Sequence, residues 1–125
     1  MIQDYILKPV RAAAILTNGV VAGTVLEDCH LLNQLVILAD FTLGSLTTAD
    51  IIVEYSDDGT NFYQEVMSSL SAGVDTVTSL VHRLSASGKR AIAIPIKSRF
   101  VRISAIGNGT VTSSSLKIDA ILGVA

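Results

Sequence analysis

Two stretches of two-residue alternation, ADIIVEYSDDGTNFYQEV from Ala49 to Val66 and RFVRISA from Arg99 to Ala105, constrain this chain more than any other feature. In the first, Ile51, Val53 and Tyr55 share one face of an extended segment and Ile52, Glu54 and Ser56 the other. Period two predicts a strand, because successive side chains leave a pleated backbone on opposite sides. Asp57-Asp58-Gly59-Thr60-Asn61 reads as a compact turn in which Gly59 is free to take positive φ. Residues 62–67 are expected to return as the partner strand. The second stretch is a strand with arginines on either side of apolar positions.

Most of the remaining chain has the same period. Leu35, Ile37, Ala39, Phe41 and Leu43 alternate with Gln34, Val36, Leu38, Asp40 and Thr42, a strand buried on one face and partly on the other. Residues 74–84 read as a strand, preceded by a turn over 68–73 and followed by one over 85–88. Ile92, Ile94 and Ile96 alternate around Pro95, which cannot donate to a ladder and so marks an edge strand or a bulge. Strands over 99–106 and 113–124 close the series, with Gly107-Asn108-Gly109-Thr110 as the turn between them. Asn18-Gly19 and Ala22-Gly23 break the N-terminal third, where residues 12–16 read as a helical turn or a strand. The prediction is one all-β domain over residues 1–125, an antiparallel jelly-roll-like β-sandwich of about seven to nine strands, with residues 1–11 as a docking arm.

Composition supports strands and a covered surface. Half the residues are apolar, mostly Val, Ile, Leu and Ala with Ser and Thr between them, a mixture that suits half-buried pleated surfaces. Only 16% are charged, which points to surface that is covered in the working state. Apolar runs such as 12–16 and 35–39 fall well short of the roughly 20 residues of a membrane-spanning helix. The start, MIQDYILKPVR, lacks the basic-then-apolar plan of a signal peptide. The lone Cys29 excludes an intramolecular disulfide and reads as a reduced, buried thiol.

Charge is segregated along the chain. From Ala12 to His82 there is no Lys or Arg, whereas from Arg83 to Lys117 there is no Asp or Glu. Two arrangements fit: acidic and basic strands alternating within the sandwich as cross-strand pairs, or a bipolar subunit that docks head to tail or onto a charged neighbour. The basic half holds Phe100 as its one aromatic, which argues against nucleic-acid binding.

No catalytic constellation stands out. Cys29 and His30 are adjacent, so strand geometry would splay them, and His82 in an alternating Val/Leu context reads as a surface or packing residue. There is no P-loop, GxGxxG or HExxH, and no local signature selects a nucleophilic serine. The expectation is a protein that is not an enzyme and has no catalytic, metal or cofactor residues. The Asp57–Asn61 turn does not have the spacing of a calcium loop. For a binding role the candidate loop residues are Asp57, Asp58, Asn61, Tyr63 and Asn108. For assembly they are Tyr5, Leu7, Arg90, Arg99 and Arg102.

The first stretch resembles the "V-x-Y-S-x-D-G-x-x-F/W" hairpin of the discoidin (coagulation factor 5/8 type C) family through Val53, Tyr55, Ser56, Asp58, Gly59 and Phe62. Arg99 to Ile103 resembles that family's later "R-F/Y-V-R-I" strand. This resemblance implies a galactose-binding-like jelly roll and a carbohydrate-binding module. In length, composition and its Ser/Thr-rich ending GNGTVTSSSLKIDAILGVA, the chain also resembles small virion proteins of tailed bacteriophages, of the capsid decoration or tail accessory type. That likeness implies a homo-oligomer made in the host cytoplasm and located in the virion. Its partners would be other virion proteins such as the major capsid protein, with an outward face for glycans, and neither nucleic acid nor membrane.

Overall fold

A computed structural model describes residues 5–27, 29 and 32–123. Among them are eleven strands and no α-helix. In chain order these are β1 (Tyr5–Ala14), β2 (Val21–Ala22), β3 (Gln34–Thr42), β4 (Leu46–Ser56), β5 (Tyr63–Gln64) and β6 (Val66–Ser71). There follow β7 (Val74–Ser79), β8 (His82–Leu84), β9 (Gly88–Pro95), β10 (Phe100–Gly109) and β11 (Ser115–Gly123).

Two antiparallel sheets form the sandwich. Sheet one has the order β1-β11-β3-β9. Sheet two has the order β2-β10-β4, with β5 and β8 both pairing along the far edge of β4. The alternation read from the sequence decides which side chains meet between them. Leu35, Ile37, Ala39 and Phe41 of β3 and Leu116, Ile118, Ala120 and Leu122 of β11 pack in one core with Ala49, Ile51 and Val53 of β4 and Val101, Ile103 and Ala105 of β10. The Cys29 thiol is buried in this core.

Several sequence expectations change. The arm expected over residues 1–11 is, from Tyr5 onward, the edge strand β1, zipped along β11 from Tyr5↔Gly123 to Ala14↔Leu116; residues 1–4 lie outside the described residues. That pairing also settles residues 12–14 as strand. His30 and Val124 lie outside the described residues as well. The turn expected at 107–110 is instead the end of β10, and the connection to β11 follows it. Gly107 is buried, and a Cβ there would lie 3.0 Å from Leu46 and 3.1 Å from Leu16, so glycine serves close packing at that position. The strand expected over 74–84 is two strands, and the turn expected over 68–73 is mostly strand β6. Pro95 does lie in an edge strand, β9.

The segregated charges meet across strands. Arg83 donates to Asp50 from Nε (2.7 Å) and Nη2 (3.0 Å), and Arg102 to Glu54 from Nε (3.1 Å) and Nη2 (2.8 Å). Asp40 stands in register between Lys117 and Lys89. Acidic β3 and β4 therefore lie beside basic β8, β9 and β10.

The Arg83 hydrogen bond holds the Asp50 carboxyl below its usual range, against the opposing effect of burial. A lowered native pKa adds stability that is present above the unfolded carboxylate pKa of about 4 and is lost as pH falls through the native value. We expect the urea midpoint to hold between pH 7 and 5 and to decline below pH 4. Asp50→Asn should flatten part of that decline; an unchanged acid limb would count against the assignment.

Candidate assembly surfaces

The chain between β5 and β8 leaves the sandwich altogether. β6 and β7 pair with each other from Val66↔Ser79 to Ser71↔Val74, and every residue of both strands is exposed. Register puts Val66, Ser68, Leu70, Asp75, Val77 and Ser79 on one face, and Met67, Ser69, Ser71, Val74, Thr76 and Thr78 on the other. Both faces carry apolar side chains in water, with Leu70 75% exposed. An isolated two-stranded ribbon is marginally stable in water. This one also lacks the usual protection of exposed strand edges, since it carries a single charge, Asp75, and no proline. The edge strands of sheet one differ: β1 holds Lys8, Pro9 and two register shifts, and β9 holds Lys89, Arg90 and Pro95.

The root of the hairpin is fixed through Glu65. Its N–H donates to the Val53 carbonyl (2.9 Å), and its own carbonyl accepts from the Leu80 N–H (2.9 Å). Its carboxylate accepts from the Tyr55 hydroxyl (3.2 Å) and lies 3.1 Å from His82 Nε2. Burial, reinforced by the Glu65 charge, pushes the Tyr55 hydroxyl up to about 12. His82 is thus a half-buried partner of the root. The tip is a two-residue turn with Ala72 at φ 50 and Gly73 at φ 77, both left-handed, the type I′ geometry that favours Asn-Gly. Ala72→Asn should stabilise the hairpin locally by about 1 kcal/mol. The expected readout is a roughly fivefold rise in hydrogen-exchange protection of the β6–β7 amides with an unchanged global urea midpoint.

A second apolar surface lies on the outside of sheet one. Register aligns Leu7, Ile121, Val36 and Ala93 in one row and Pro9, Asp119, Leu38 and Ala91 in the next. Leu7 is 61% exposed, and Val36, Leu38 and Ile121 are half-buried. The third row is Lys117, Asp40 and Lys89, at the rim of a shallow depression that also takes in Leu38 and Ala91.

The loop residues proposed from sequence do not converge. Asp58 is engaged inside its own turn: Oδ1 accepts from the Thr60 and Asn61 N–H groups (2.8 Å each) and from Ser56 Oγ (3.0 Å), and Oδ2 accepts from Asn61 Nδ2 (2.8 Å). These bonds, the backbone ones foremost, hold its carboxyl well below the usual carboxylate range. Asp57 borders a separate shallow depression with Ile96, Lys97 and Arg99. Tyr63 stands 72% exposed after the turn. Asn108 lies toward the opposite end of β4, donating to Thr48 Oγ1 (2.9 Å) and Asp50 Oδ2 (3.2 Å).

Of the assembly candidates, Leu7 lies on the apolar face of sheet one and Arg90 is exposed on edge strand β9. The Arg99 guanidinium is 5.6 Å from the Phe100 ring. Arg102 is committed within the chain, paired with Glu54 and 4.1 Å from the Phe62 ring. For Tyr5 only the backbone pairing is described. Sequence reasoning missed the hairpin residues Val66, Met67, Leu70, Val74 and Val77; their one signal was a nearly chargeless alternation running across a poor turn sequence.

This architecture is a two-layer antiparallel β-sandwich that projects an exposed hairpin from one edge. The same overall fold occurs in the crystal structure of the SPBc2 prophage-derived protein YomS, with a TM-score of 0.59 over 98% of this chain and 96% of that one. Identity between the two is 14%, so the likeness is one of fold. No protein-family model matches this sequence, and no curated protein matches it.

Proposed function

We propose that this chain is a bacteriophage structural protein, a non-catalytic β-sandwich subunit that oligomerises and attaches to the capsid or tail as a decoration or accessory component of the virion. The observation that carries this reading is the pair of uncovered apolar surfaces, the β6–β7 hairpin and the outer face of sheet one, on a chain with so little charge. The shared fold with a prophage-derived protein supports a phage setting. Mass spectrometry of purified particles from the phage or induced prophage that encodes it tests the proposal. Recovery at a fixed copy number per particle is the expected result, and absence from intact virions would sink it.

A second reading, a discoidin-like carbohydrate-binding module, is supported by the exposed Tyr63 ring beside the 57–61 turn. Its motif segments lie side by side, with Phe100↔Ser56 and Val101↔Tyr55 paired. Titration with galactose-type sugars tests it, and binding that disappears in Tyr63→Ala would favour this module over assembly.

A further inference from the structure

Resting on the assembly reading, we infer that two copies join edge to edge through their hairpins, β6 of one pairing antiparallel with β6 of the other about a two-fold axis at Ser68. Ala72-Gly73 is a two-residue turn, so Ser71 and Val74 form a hydrogen-bonded pair, and bonded and non-bonded pairs alternate from there. Ser71, Ser69 and Met67 therefore turn their N–H and C=O groups toward β7, and the bond from the Leu80 N–H to the Glu65 carbonyl continues that phase. The backbone groups of Leu70, Ser68 and Val66 point the other way, where among the described residues no strand pairs with β6. A smooth apolar surface laid over this ribbon would strip water from those donors and acceptors without replacing it, whereas another extended strand pairs them all.

The residues of β6 select β6 itself as the partner. A two-fold at Ser68 sets Val66 opposite Leu70 of the second copy, Met67 opposite Ser69, and Ser68 opposite its own counterpart, so apolar pairs form and no charge enters the seam. Every outward backbone group of β6 is matched in this register, by about six hydrogen bonds. Val77 is the partner of Ser68 within the hairpin, so the joined ribbon carries Val66, Leu70 and Val77 of both copies on one continuous face. Asp75, the one charge of the hairpin, lies on β7, which becomes the outer edge of the four-stranded ribbon. The two carboxylates then stand at least roughly 14 Å apart, beyond the screening length of about 8 Å. Each also guards its edge against a further strand, whereas pairing through β7 would bring Asp75 into the seam. The contact is isologous and closes at two copies.

The test uses the full chain and light scattering after size exclusion, with circular dichroism to verify folding. Wild type is expected to dimerise. Amide hydrogen exchange should show Val66, Ser68 and Leu70 gaining protection as concentration rises, while Val77 and Ser79 on the β7 edge stay fast. Ser68 is exposed and meets its own counterpart, so Ser68→Lys and Ser68→Glu should each weaken the dimer about fivefold by setting like charges opposite. An equimolar mixture of the two should recover the dimer, since the introduced ammonium of one copy then faces the introduced carboxylate of the other. Ser68→Pro removes an outward N–H without touching a bond to β7 and should leave a folded monomer. Ser68 variants that dimerise like wild type, or protection on the β7 edge instead, would overturn the pairing while leaving assembly through another surface standing. A wild type that stays monomeric at all concentrations would also overturn it, and recovery of the chain in virions would then decide the broader reading separately.

Discussion

Gly44→Ala is expected to remove about 4 kcal/mol of stability, the largest single-residue effect foreseen in this chain. Gly44 turns β3 into β4 at φ 55, and a Cβ there would lie 1.6 Å from the Ser113 carbonyl oxygen. That oxygen accepts the Ser45 N–H, while Ser45 Oγ donates to the Thr110 carbonyl and accepts from the Thr112 and Ser113 N–H groups. The turn is therefore seated on the connection between β10 and β11 with backbone against backbone, and nothing flexible can yield. Left-handed strain of about 1–2 kcal/mol, overpacking of about 1–3 and one lost hydrogen bond of about 1 combine to that figure. Gly59→Ala is the control: it also has positive φ, at 77, but its Cβ would meet only the Phe100 ring, at 3.3 Å. Urea midpoints should separate the two by several kcal/mol; similar losses would show that φ alone governs both sites.

Arg102→Ala is the second large effect, about 3 kcal/mol. Arg102 makes a two-bond fork with Glu54, whose side chain is only 15% exposed, and covers the Phe62 ring. Truncation leaves a mostly buried carboxylate with Ser104 Oγ (3.2 Å) as its side-chain donor and uncovers the ring. Breaking a buried pair on one side costs about 3–5 kcal/mol, and the partial exposure of this one places it at the lower end. Arg102→Lys keeps the charge but not the fork, and about half the loss should remain. In a double-mutant cycle, Glu54→Gln with Arg102→Ala should cost clearly less than the sum of the single changes; simple additivity would mean that the pair contributes nothing.

The core was legible because burial and alternation coincide in β3 and β11, whereas β4 is buried on both faces from Ala49 to Val53. Leu35, Ile37, Ala39, Phe41, Ile51 and Val53 point inward in the phase their spacing predicts. The charge segregation was legible as two alternatives, and the Asp50–Arg83 and Glu54–Arg102 pairs realise the cross-strand one. The hairpin was harder to see for two physical reasons. Ser68, Ser69 and Ser71 have the composition of a turn while occupying a strand, and the actual turn, Ala72-Gly73, puts alanine in a conformation that alanine disfavours. Alternation also implies one buried face, whereas here both faces are open, which depends on where the ribbon leaves the sheet. Asn108 misled in the opposite sense: Gly-Asn-Gly-Thr has turn chemistry, yet β10 continues because Asn108 is bonded to Thr48 and Asp50 across the ladder.

The position of β11 has a consequence for how the molecule is made. The last of the eleven strands lies inside sheet one, between β1 and β3, and joins them. During synthesis that sheet stays in two unjoined pieces until residue 123 has left the ribosome, and the nascent chain meanwhile offers the open edges of β1 and β3 to any passing strand. Closure then brings together segments far apart in the sequence, Tyr5 and Gly123 among them, which places folding in the slow, millisecond-to-second class of high-contact-order proteins.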